Sequence, residues 1–242
     1  MKIKIEFLEN SLLINNKILV LSDLHIGEIL GFGEIIQTKE VLDRLEKIFQ
    51  LIKKQNKIIK KIIILGDIKH DFGKIFEDDW KNIFIILDFL IKRVKNIIII
   101  SGNHDKSILP KLKREGIKLK KYYILNKMGF LHGDKYYRKC LELSKILFLG
   151  HLHPAITLSD KYKSEKYKCF LLGKWIKRFV YILPSFNPNS YGFELNEVDN
   201  SKNNKDDFFI IPKNKLLNFQ VIIYDFLNNK TYIFRKLKEL IK

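Results

Sequence analysis

Short apolar runs alternate with longer amphipathic segments along much of the chain. Four of the runs are rich in isoleucine and leucine, and they cover Ile18–Leu21, Ile62–Leu65, Ile97–Ile100 and Ile146–Leu149. Continuous apolar runs of this length are typical of parallel strands that are buried on both faces. The opening segment, Met1–Glu6, alternates between apolar and charged residues instead, which indicates a strand with one polar face.

Two segments between these runs have the spacing of amphipathic helices. We predict the first helix over Thr38–Lys54, with Thr38 as its N-cap, because apolar residues recur there every three or four positions. The second helix presents one apolar face over Trp80–Val94, with Asp78 or Asp79 as its N-cap. Helices that alternate with strands in this way predict right-handed crossovers and a parallel sheet.

After Lys121 the pattern changes to shorter strands. We predict strands at Tyr122–Leu125, Gly129–Leu131, Lys168–Leu172, Phe179–Leu183, Phe208–Ile211, Phe219–Tyr224 and Thr231–Phe234, and a helix around Lys135–Lys145. The polar stretch Asn196–Asp207 is predicted to be a surface loop. Because this stretch is too short and too central for a domain linker, we expect residues 1–242 to form one α/β domain with two sheets.

Every histidine of the chain lies in one of five short polar motifs. The motifs are Asp23-Leu24-His25, Gly66-Asp67-Ile68-Lys69-His70, Gly102-Asn103-His104-Asp105, His132-Gly133-Asp134 and Gly150-His151-Leu152-His153. Four of them directly follow one of the apolar runs. Ligands of open α/β sheets bind beyond the carboxyl ends of the parallel strands. The sequence therefore predicts a metal site at that edge of the sheet.

The spacing within the motifs suits metal ligands. Asp23 and His25 are two residues apart, so on an extended segment both side chains point the same way, and His151 and His153 repeat this spacing. Each pair is therefore expected to supply two ligands to one place.

Three further side chains complete the predicted ligand set. Asp67 is a carboxylate that can bridge two cations, Asn103 adds an amide oxygen, and His132 adds an imidazole. This mixture of donors favours Mn²⁺, with Fe²⁺, Zn²⁺, Co²⁺ or Ni²⁺ as alternatives, over Mg²⁺ or Ca²⁺. Two divalent cations carry more positive charge than two carboxylates neutralise. The remaining positive charge suits a phosphate that is bound between metals roughly 3.5–4 Å apart.

In this order, the five motifs resemble those of the calcineurin-like metallophosphoesterase superfamily, from about Lys17 to Pro154. The resemblance implies a four-layer α/β/β/α sandwich with two metal ions. It assigns one ion to Asp23, His25, Asp67 and His153, and the other to Asp67, Asn103, His132 and His151. It also implies that a metal-bridging hydroxide attacks the phosphate, while His104 stays outside the coordination shell and protonates the leaving oxygen or stabilises the transition state.

The second motif indicates a branch of the superfamily. Serine/threonine protein phosphatases carry an Asp-Arg-Gly sequence where this chain has Asp71, Phe72 and Gly73. The motif of this chain is more similar to that of SbcD-type nucleases and DNA-ligase-associated phosphoesterases, in particular the small archaeal phosphoesterases related to SbcD. With 242 residues, however, we expect no room for the large capping domain of the repair nucleases. This implies a Mn²⁺-dependent phosphodiesterase or nuclease acting on nucleic acid or nucleotide diesters. Two alternatives stay open: a phosphomonoesterase on small metabolites, and a nucleic-acid-binding partner of a repair or helicase complex.

Several individual residues have two interpretations. His104 is predicted to be a catalytic acid, with a structural hydrogen-bonding role as the alternative. His70 is predicted to contact substrate phosphate, and the alternative is a hydrogen bond to the metal shell. Asp105 and Asp134 are expected to cap loops rather than to bind metal.

The charge and the aromatic residues of the chain do not decide whether it binds nucleic acid. The formal net charge is +18, which indicates either a biased, lysine-rich composition or a polyanionic partner such as nucleic acid. The segment Lys161–Arg178 interleaves Tyr162, Tyr167 and Trp175 with lysines, so it is either a solvated hairpin or a stacking surface for single strands. The loop Asn187–Gly192 either borders the site or simply turns the chain.

The remaining composition indicates a cytoplasmic protein without a membrane segment. Cys140 and Cys169 are too few and too far apart for a disulfide framework or a CxxC zinc site. The first residues lack the apolar core of a signal peptide, and the longest apolar stretch, Ile83–Ile91, is interrupted by Asp88.

Overall fold

The computed structural model describes residues 3–27, 32–70, 77–196 and 209–241. The first sheet has six strands in the order β1-β2-β3-β4-β5-β6. Their bounds are β1 Ile5–Leu8, β2 Ser11–Ile14, β3 Ile18–Leu21, β4 Lys61–Ile64, β5 Ile97–Ile100 and β6 Lys118–Lys120. β3 to β6 run parallel, and β1 and β2 add an antiparallel edge.

A second sheet and a small third sheet use the later strands. The seven-stranded sheet contains β7 Tyr123–Leu125, β8 Met128–Leu131, β9 Ile146–Leu149, β12 Phe170–Trp175, β13 Arg178–Ile182, β15 Gln220–Asp225 and β16 Lys230–Lys236. Their order is β16-β15-β12-β13-β9-β8-β7, with β8, β9 and β13 parallel. The small sheet has the order β11-β10-β14 and contains β10 Pro154–Ser159, β11 Ser164–Lys168 and β14 Phe193–Glu194.

Five α-helices connect and cover these strands in the part of the chain that is described. They are α1 Phe32–Lys54, α2 Glu77–Arg93, α3 Leu109–Arg114, α4 Arg138–Leu143 and α5 Lys213–Leu216. No helix in the described ranges is both long enough and apolar enough to cross a membrane.

The strands of the first sheet bury residues on both faces, as their apolar runs predict. In β3, Leu19 and Leu21 pack towards α1 and α2, whereas Ile18 and Val20 pack towards the second sheet. The layer between the sheets is filled by bulky side chains such as Phe130 of β8. Alternation with a period of two is what places successive side chains in different layers.

The outer face of the second sheet is also covered. Leu147 and Val180 of this sheet share a buried cluster with Leu141 of α4, Leu216 of α5 and Ile156 of β10. The predicted four-layer α/β/β/α sandwich is therefore confirmed, with an outer layer of short helices and a small sheet.

Three local predictions are wrong. α1 begins at Phe32, well before the N-cap predicted at Thr38, because the apolar periodicity marks only the turns that pack on the core, and Thr38 itself is buried within the helix. Residues 209–211 form bends rather than a strand, and Phe208 lies outside the described residues. Phe209 and Ile211 are buried, so their apolar character reflects burial and not strand pairing. α2 begins at Glu77, so Asp78 and Asp79 lie within the helix and the N-cap predicted at one of them is wrong. The loop predicted from residue 197 onward lies outside the described residues.

Candidate metal centre

The loops that follow the central parallel strands of both sheets bring the predicted site residues together. β3 leads to Asp23 and His25, β4 to Asp67 and His70, β5 to Asn103 and His104, β8 to His132, and β9 to His151 and His153. Because these strands are parallel within each sheet and the sheets pack face to face, their carboxyl ends meet at one edge of the sandwich.

Asp23, His25 and His153 form what we call the first ligand group. The Nε2 atoms of His25 and His153 are 3.1 Å apart, and His153 Nε2 lies 3.3 Å from Asp23 Oδ1. One potential ligand atom from each residue lies within 4.8 Å of the others. Asp23 and His25 are buried, so three potential ligand atoms converge in a place that is largely shielded from water.

Asp67, His132 and His151 form the second ligand group, and their ligand atoms also lie within 4.8 Å of one another. His132 Nε2 is 3.2 Å from Asp67 Oδ2 and 2.9 Å from the side-chain oxygen of Asn103. The other ring nitrogen of His132, Nδ1, donates to the carbonyl of Leu65 at 2.6 Å. This bond fixes the ring so that Nε2 faces the oxygens, which leaves its lone pair available for a cation.

Asp67 lies between the two groups. Its Oδ2 atom is 3.8 Å from His25 Nε2 and 3.8 Å from His104 Nε2, and these three residues form a further cluster of potential ligands. Oδ2 is buried and faces the ring nitrogens of three histidines, with His132 Nε2 nearest at 3.2 Å. A bound cation would replace the proton that His132 holds towards this oxygen. The residues present therefore fit the divalent ions that the sequence predicts.

The backbone geometry differs from the extended segment assumed for the histidine pairs. Asp23 has φ +52° and His25 has φ +42°, while His151 and His153 have φ +66° and +47°. These residues lie in the left-handed region, so tight turns and not strand alternation make the side chains converge. His151 and His153 fall into different ligand groups, and the prediction that this pair supplies one place is wrong.

Two glycines allow the loops to approach each other. A Cβ atom on Gly102 would lie 2.1 Å from Asp67 Oδ1, and a Cβ atom on Gly150 would lie 1.9 Å from the hydroxyl oxygen of Ser22. Both distances are far below van der Waals contact. The Gly-Asn-His-Asp and Gly-His-x-His motifs thus require glycine at their first positions for steric reasons.

Asp105 caps the loops of the second ligand group. Its Oδ2 accepts hydrogen bonds from the backbone amides of Asp67 at 2.8 Å and Gly102 at 2.9 Å, and its Oδ1 accepts one from Ile68 at 2.9 Å. The side chain is fully buried. The predicted loop-capping role is therefore confirmed for Asp105. Asp134 pairs with Lys135 at 3.2 Å.

His104 and His70 lie beside the ligand groups. The backbone amide of His104 donates to Asp67 Oδ1 at 3.0 Å, and its ring Nδ1 donates to the carbonyl oxygen of His70. The ring centroids of His25 and His70 are 5.4 Å apart, and those of His70 and His104 are 6.1 Å apart. Both side chains are partly exposed beside the ligand groups.

Burial and neighbouring charges perturb the ionisation of the site. Burial and the His153 imidazole lower the pKa of His25 to about 3, so its ring is neutral at physiological pH. Burial alone would lower the pKa of His132, but the carboxylates of Asp67 and Asp23 raise it to about 10. Burial opposes ionisation of Asp23, yet the nearby imidazoles outweigh it and hold its pKa below the usual range. Metal binding at His132 would therefore release a proton.

Two further parts of the chain contact the first ligand group, although the sequence did not predict this for either of them. The Asn187–Gly192 loop does border the site, because the side chain of Asn187 donates to the carbonyl of His25 at 3.3 Å. Gln37 of α1 was missed, although its side chain bonds the same carbonyl at 3.1 Å and the amide of Gly27 at 3.1 Å. No local sequence pattern marks Gln37, because its partners are ten or more positions away.

The aromatic residues of Lys161–Arg178 do not form a continuous stacking surface. Tyr167 and Trp175 pack against the buried cluster of the second sheet, and Tyr162 at the turn between β10 and β11 is 95% exposed. The structure thus favours the hairpin interpretation of this segment.

Comparisons with known proteins agree with this fold. Residues 16–210 match the family model described as calcineurin-like phosphoesterase. A nuclease from Pseudomonas putida, MPE, superposes with a TM-score of 0.59 at 17% identity, covering 92% of this chain and 96% of that one. Vps29 from Cryptosporidium parvum gives a TM-score of 0.38 at 16% identity, with 89% and 94% covered. No curated protein sequence is significantly similar to the chain.

Proposed function

Because the chain belongs to the calcineurin-like phosphoesterase family, we propose that it is a dinuclear, metal-dependent phosphodiesterase that cleaves nucleic acid or nucleotide diesters. The observation that carries the proposal is the position of Asp67. Its buried Oδ2 lies between two groups of potential ligands, 3.2 Å from His132 Nε2 and 3.8 Å from His25 Nε2. A carboxylate in that position is suited to two cations at once.

Seven residues would hold the two ions. Asp23, His25 and His153 would bind one ion, His132, His151 and Asn103 would bind the other, and Asp67 would bind both. Mixed imidazole and oxygen donors suit Mn²⁺ best, with Fe²⁺, Zn²⁺, Co²⁺ or Ni²⁺ as alternatives. When bound, the ions supply positive charge to the phosphate oxygens and lower the pKa of water.

His104 would hold the proton for the leaving oxygen. Its Nδ1 donates to the carbonyl oxygen of His70, so Nε2 is the ring atom that faces Asp67 and the ligand groups. Proton transfer from Nε2 leaves a neutral ring whose remaining hydrogen is still bound to the same carbonyl. His70, whose ring lies next to those of His25 and His104, would contact a phosphate oxygen.

Charge and structural likeness support a nucleic acid substrate. The net charge of +18 attracts a phosphate backbone. The structure with which the fold superposes at a TM-score of 0.59 is described as a nuclease. The resemblance to small SbcD-related phosphoesterases points in the same direction. The buried, unpaired thiols of Cys140 and Cys169 suit a reducing compartment such as the cytoplasm.

Hydrolysis assays test the proposal. Purified protein is incubated with bis-p-nitrophenyl phosphate, p-nitrophenyl phosphate, and labelled single-stranded DNA and RNA, with Mn²⁺ or with EDTA. We expect Mn²⁺-dependent turnover and a higher kcat/KM for the diester than for the monoester. A higher value for the monoester would select a phosphomonoesterase instead. No turnover of any diester with any of the five candidate metals would refute the proposal.

A further inference from the structure

The segment after β13 is bonded to the backbone of the first ligand group. The Ser185 hydroxyl donates to the carbonyl oxygen of Asp23 at 2.7 Å, and the side-chain amide of Asn187 donates to the carbonyl oxygen of His25 at 3.3 Å. All four residues are buried. Two side chains more than 160 residues away in sequence therefore hold the turn on which Asp23 and His25 lie.

One lysine holds this segment in turn. The Lys168 ammonium donates to the carbonyl oxygen of Ser185 at 3.2 Å and to that of Asn187. Burial raises the pKa of the nearby Glu9 carboxyl, and the positive charges of Arg44, Lys47 and Lys168 oppose this rise. The ammonium itself is held by two carbonyl oxygens. We call Lys168, Ser185 and Asn187 the Lys168 clamp.

The clamp is also tied to the third member of the first ligand group. Lys168 is the last residue of β11 and pairs with Ala155 of β10, a strand that begins directly after His153. The amide of Cys169 donates to the carbonyl of Pro154 at 3.0 Å. Lys168 is therefore linked to Asp23 and His25 through Ser185 and Asn187, and to His153 through its pairing with β10.

The turn at Asp23 needs such support. Both Asp23 and His25 have left-handed φ values, and non-glycine residues keep such conformations only where the surroundings impose them. The second ligand group has a different support, since Asp105 holds the backbone of Asp67. The two halves of the site also touch, since the amide of His25 donates to the carbonyl oxygen of Asp67 at 2.9 Å, but the side chains that hold each backbone differ.

We propose that Lys168 is a positioning residue that shapes the first ligand group through its clamp and so sets the affinity for one of the two metal ions. The part of this proposal that concerns metal rests on the proposed function. The part that concerns the backbone of the turn does not.

Titration with Mn²⁺ by calorimetry tests the metal part. In Lys168→Met, we expect one of the two binding events to weaken by roughly 10–100-fold, as for other residues that orient metal ligands, while the other event keeps its affinity. Lys168→Arg should recover part of the loss, because a guanidinium can also donate to two carbonyls. Lys161→Met removes an exposed lysine of the hairpin between β10 and β11, which also contains Lys168. This variant is the matched control and should bind Mn²⁺ like the parent protein. Equal weakening of both events would overturn the proposal.

Hydrogen exchange on the metal-free protein tests the backbone part. In EDTA, Lys168→Met should accelerate exchange in a peptide covering residues 22–27 and leave one covering residues 62–66 unchanged. Ser185→Ala removes the hydrogen bond to Asp23 and the one that the hydroxyl accepts from the amide of Asn187, and leaves the bonds of Lys168 in place. It should produce the same pattern with smaller amplitude, which covers the case in which Lys168→Met does not fold. Unchanged exchange at 22–27 in both variants would refute the clamp. A parent protein that binds no Mn²⁺ would instead refute the proposed function and leave this result standing.

Discussion

Removal of the Asp105 carboxylate should destabilise the metal-free protein measurably. In the structure this side chain accepts three backbone hydrogen bonds of 2.8–2.9 Å, from Asp67, Ile68 and Gly102, and is completely buried. Asp105→Ala would leave three buried amides without that acceptor. Hydrogen bonds to charged groups contribute about 1.5–3 kcal/mol each, so the gross loss is about 5–9 kcal/mol.

Part of this loss is offset by the ionisation of Asp105 itself. Burial and the neighbouring Asp67 carboxylate raise the pKa of Asp105 from its ordinary value of 3.8 to about 6. A difference of that size corresponds to roughly 3 kcal/mol against the ionised form at neutral pH. We therefore expect Asp105→Ala to lower the free energy of unfolding by about 2–6 kcal/mol at pH 7.5.

Urea denaturation followed by circular dichroism in EDTA measures this change, with Asp88→Ala as the control. Asp88 is an exposed residue of α2 that pairs with Lys92 one turn along the helix, so its removal should cost less than about 0.5 kcal/mol. The raised pKa of Asp105 also sets the sign of the pH dependence. Because folding raises this pKa, it is the protonated carboxyl that favours the folded state, and this contribution is fully present below pH 3.8 and is lost as the pH rises through about 6. The advantage of the parent over Asp105→Asn should therefore shrink over that range. Equal stability of Asp105→Ala and the parent protein at pH 7.5 would refute the reasoning.

Three further predictions follow from the site and the core. Asp67→Asn should reduce the content of both metal ions, measured by mass spectrometry, whereas His25→Ala should reduce mainly one; full retention of both ions in Asp67→Asn would contradict a shared ligand. His104→Ala should keep both ions and slow hydrolysis by roughly 10²–10⁴-fold, with a smaller loss for a p-nitrophenolate leaving group than for an alkoxide; equal losses would contradict proton donation. Burial raises the pKa of Cys140 to about 11 and that of Cys169 further, so neither thiol should react with Ellman's reagent before unfolding, and rapid labelling of the native protein would contradict their burial.

The sequence predicted the parallel strands of the first sheet closely. Ile18–Leu21 and Ile97–Ile100 form strands over the predicted residues, and Ile62–Leu65 is displaced by one position. These segments are buried on both faces, so their continuous apolar runs indicate parallel strands directly. The small sheet of β10, β11 and β14 was not predicted beyond the lysine-rich hairpin, because its strands are short and half exposed.

The site was predicted by residue type and position rather than by its local geometry. Asp23 and His25 meet as expected, but through left-handed turns and not through an extended segment. The contacts that hold these turns involve Gln37, Lys168 and Asn187, which are distant in sequence and have no local pattern of their own. The roles assigned to the ligands and to the two catalytic histidines, and the extent of one domain over residues 1–242, stay predictions.

The central claim is that Asp67 joins two metal ions in one site. Anomalous diffraction from crystals soaked in Mn²⁺ tests it most directly, because it places each ion independently of activity. We predict two peaks roughly 3.5–4 Å apart, one on each side of Asp67, with His25 and His153 next to one peak and His132 and His151 next to the other. A single peak, or two peaks that do not share Asp67, would contradict the dinuclear centre.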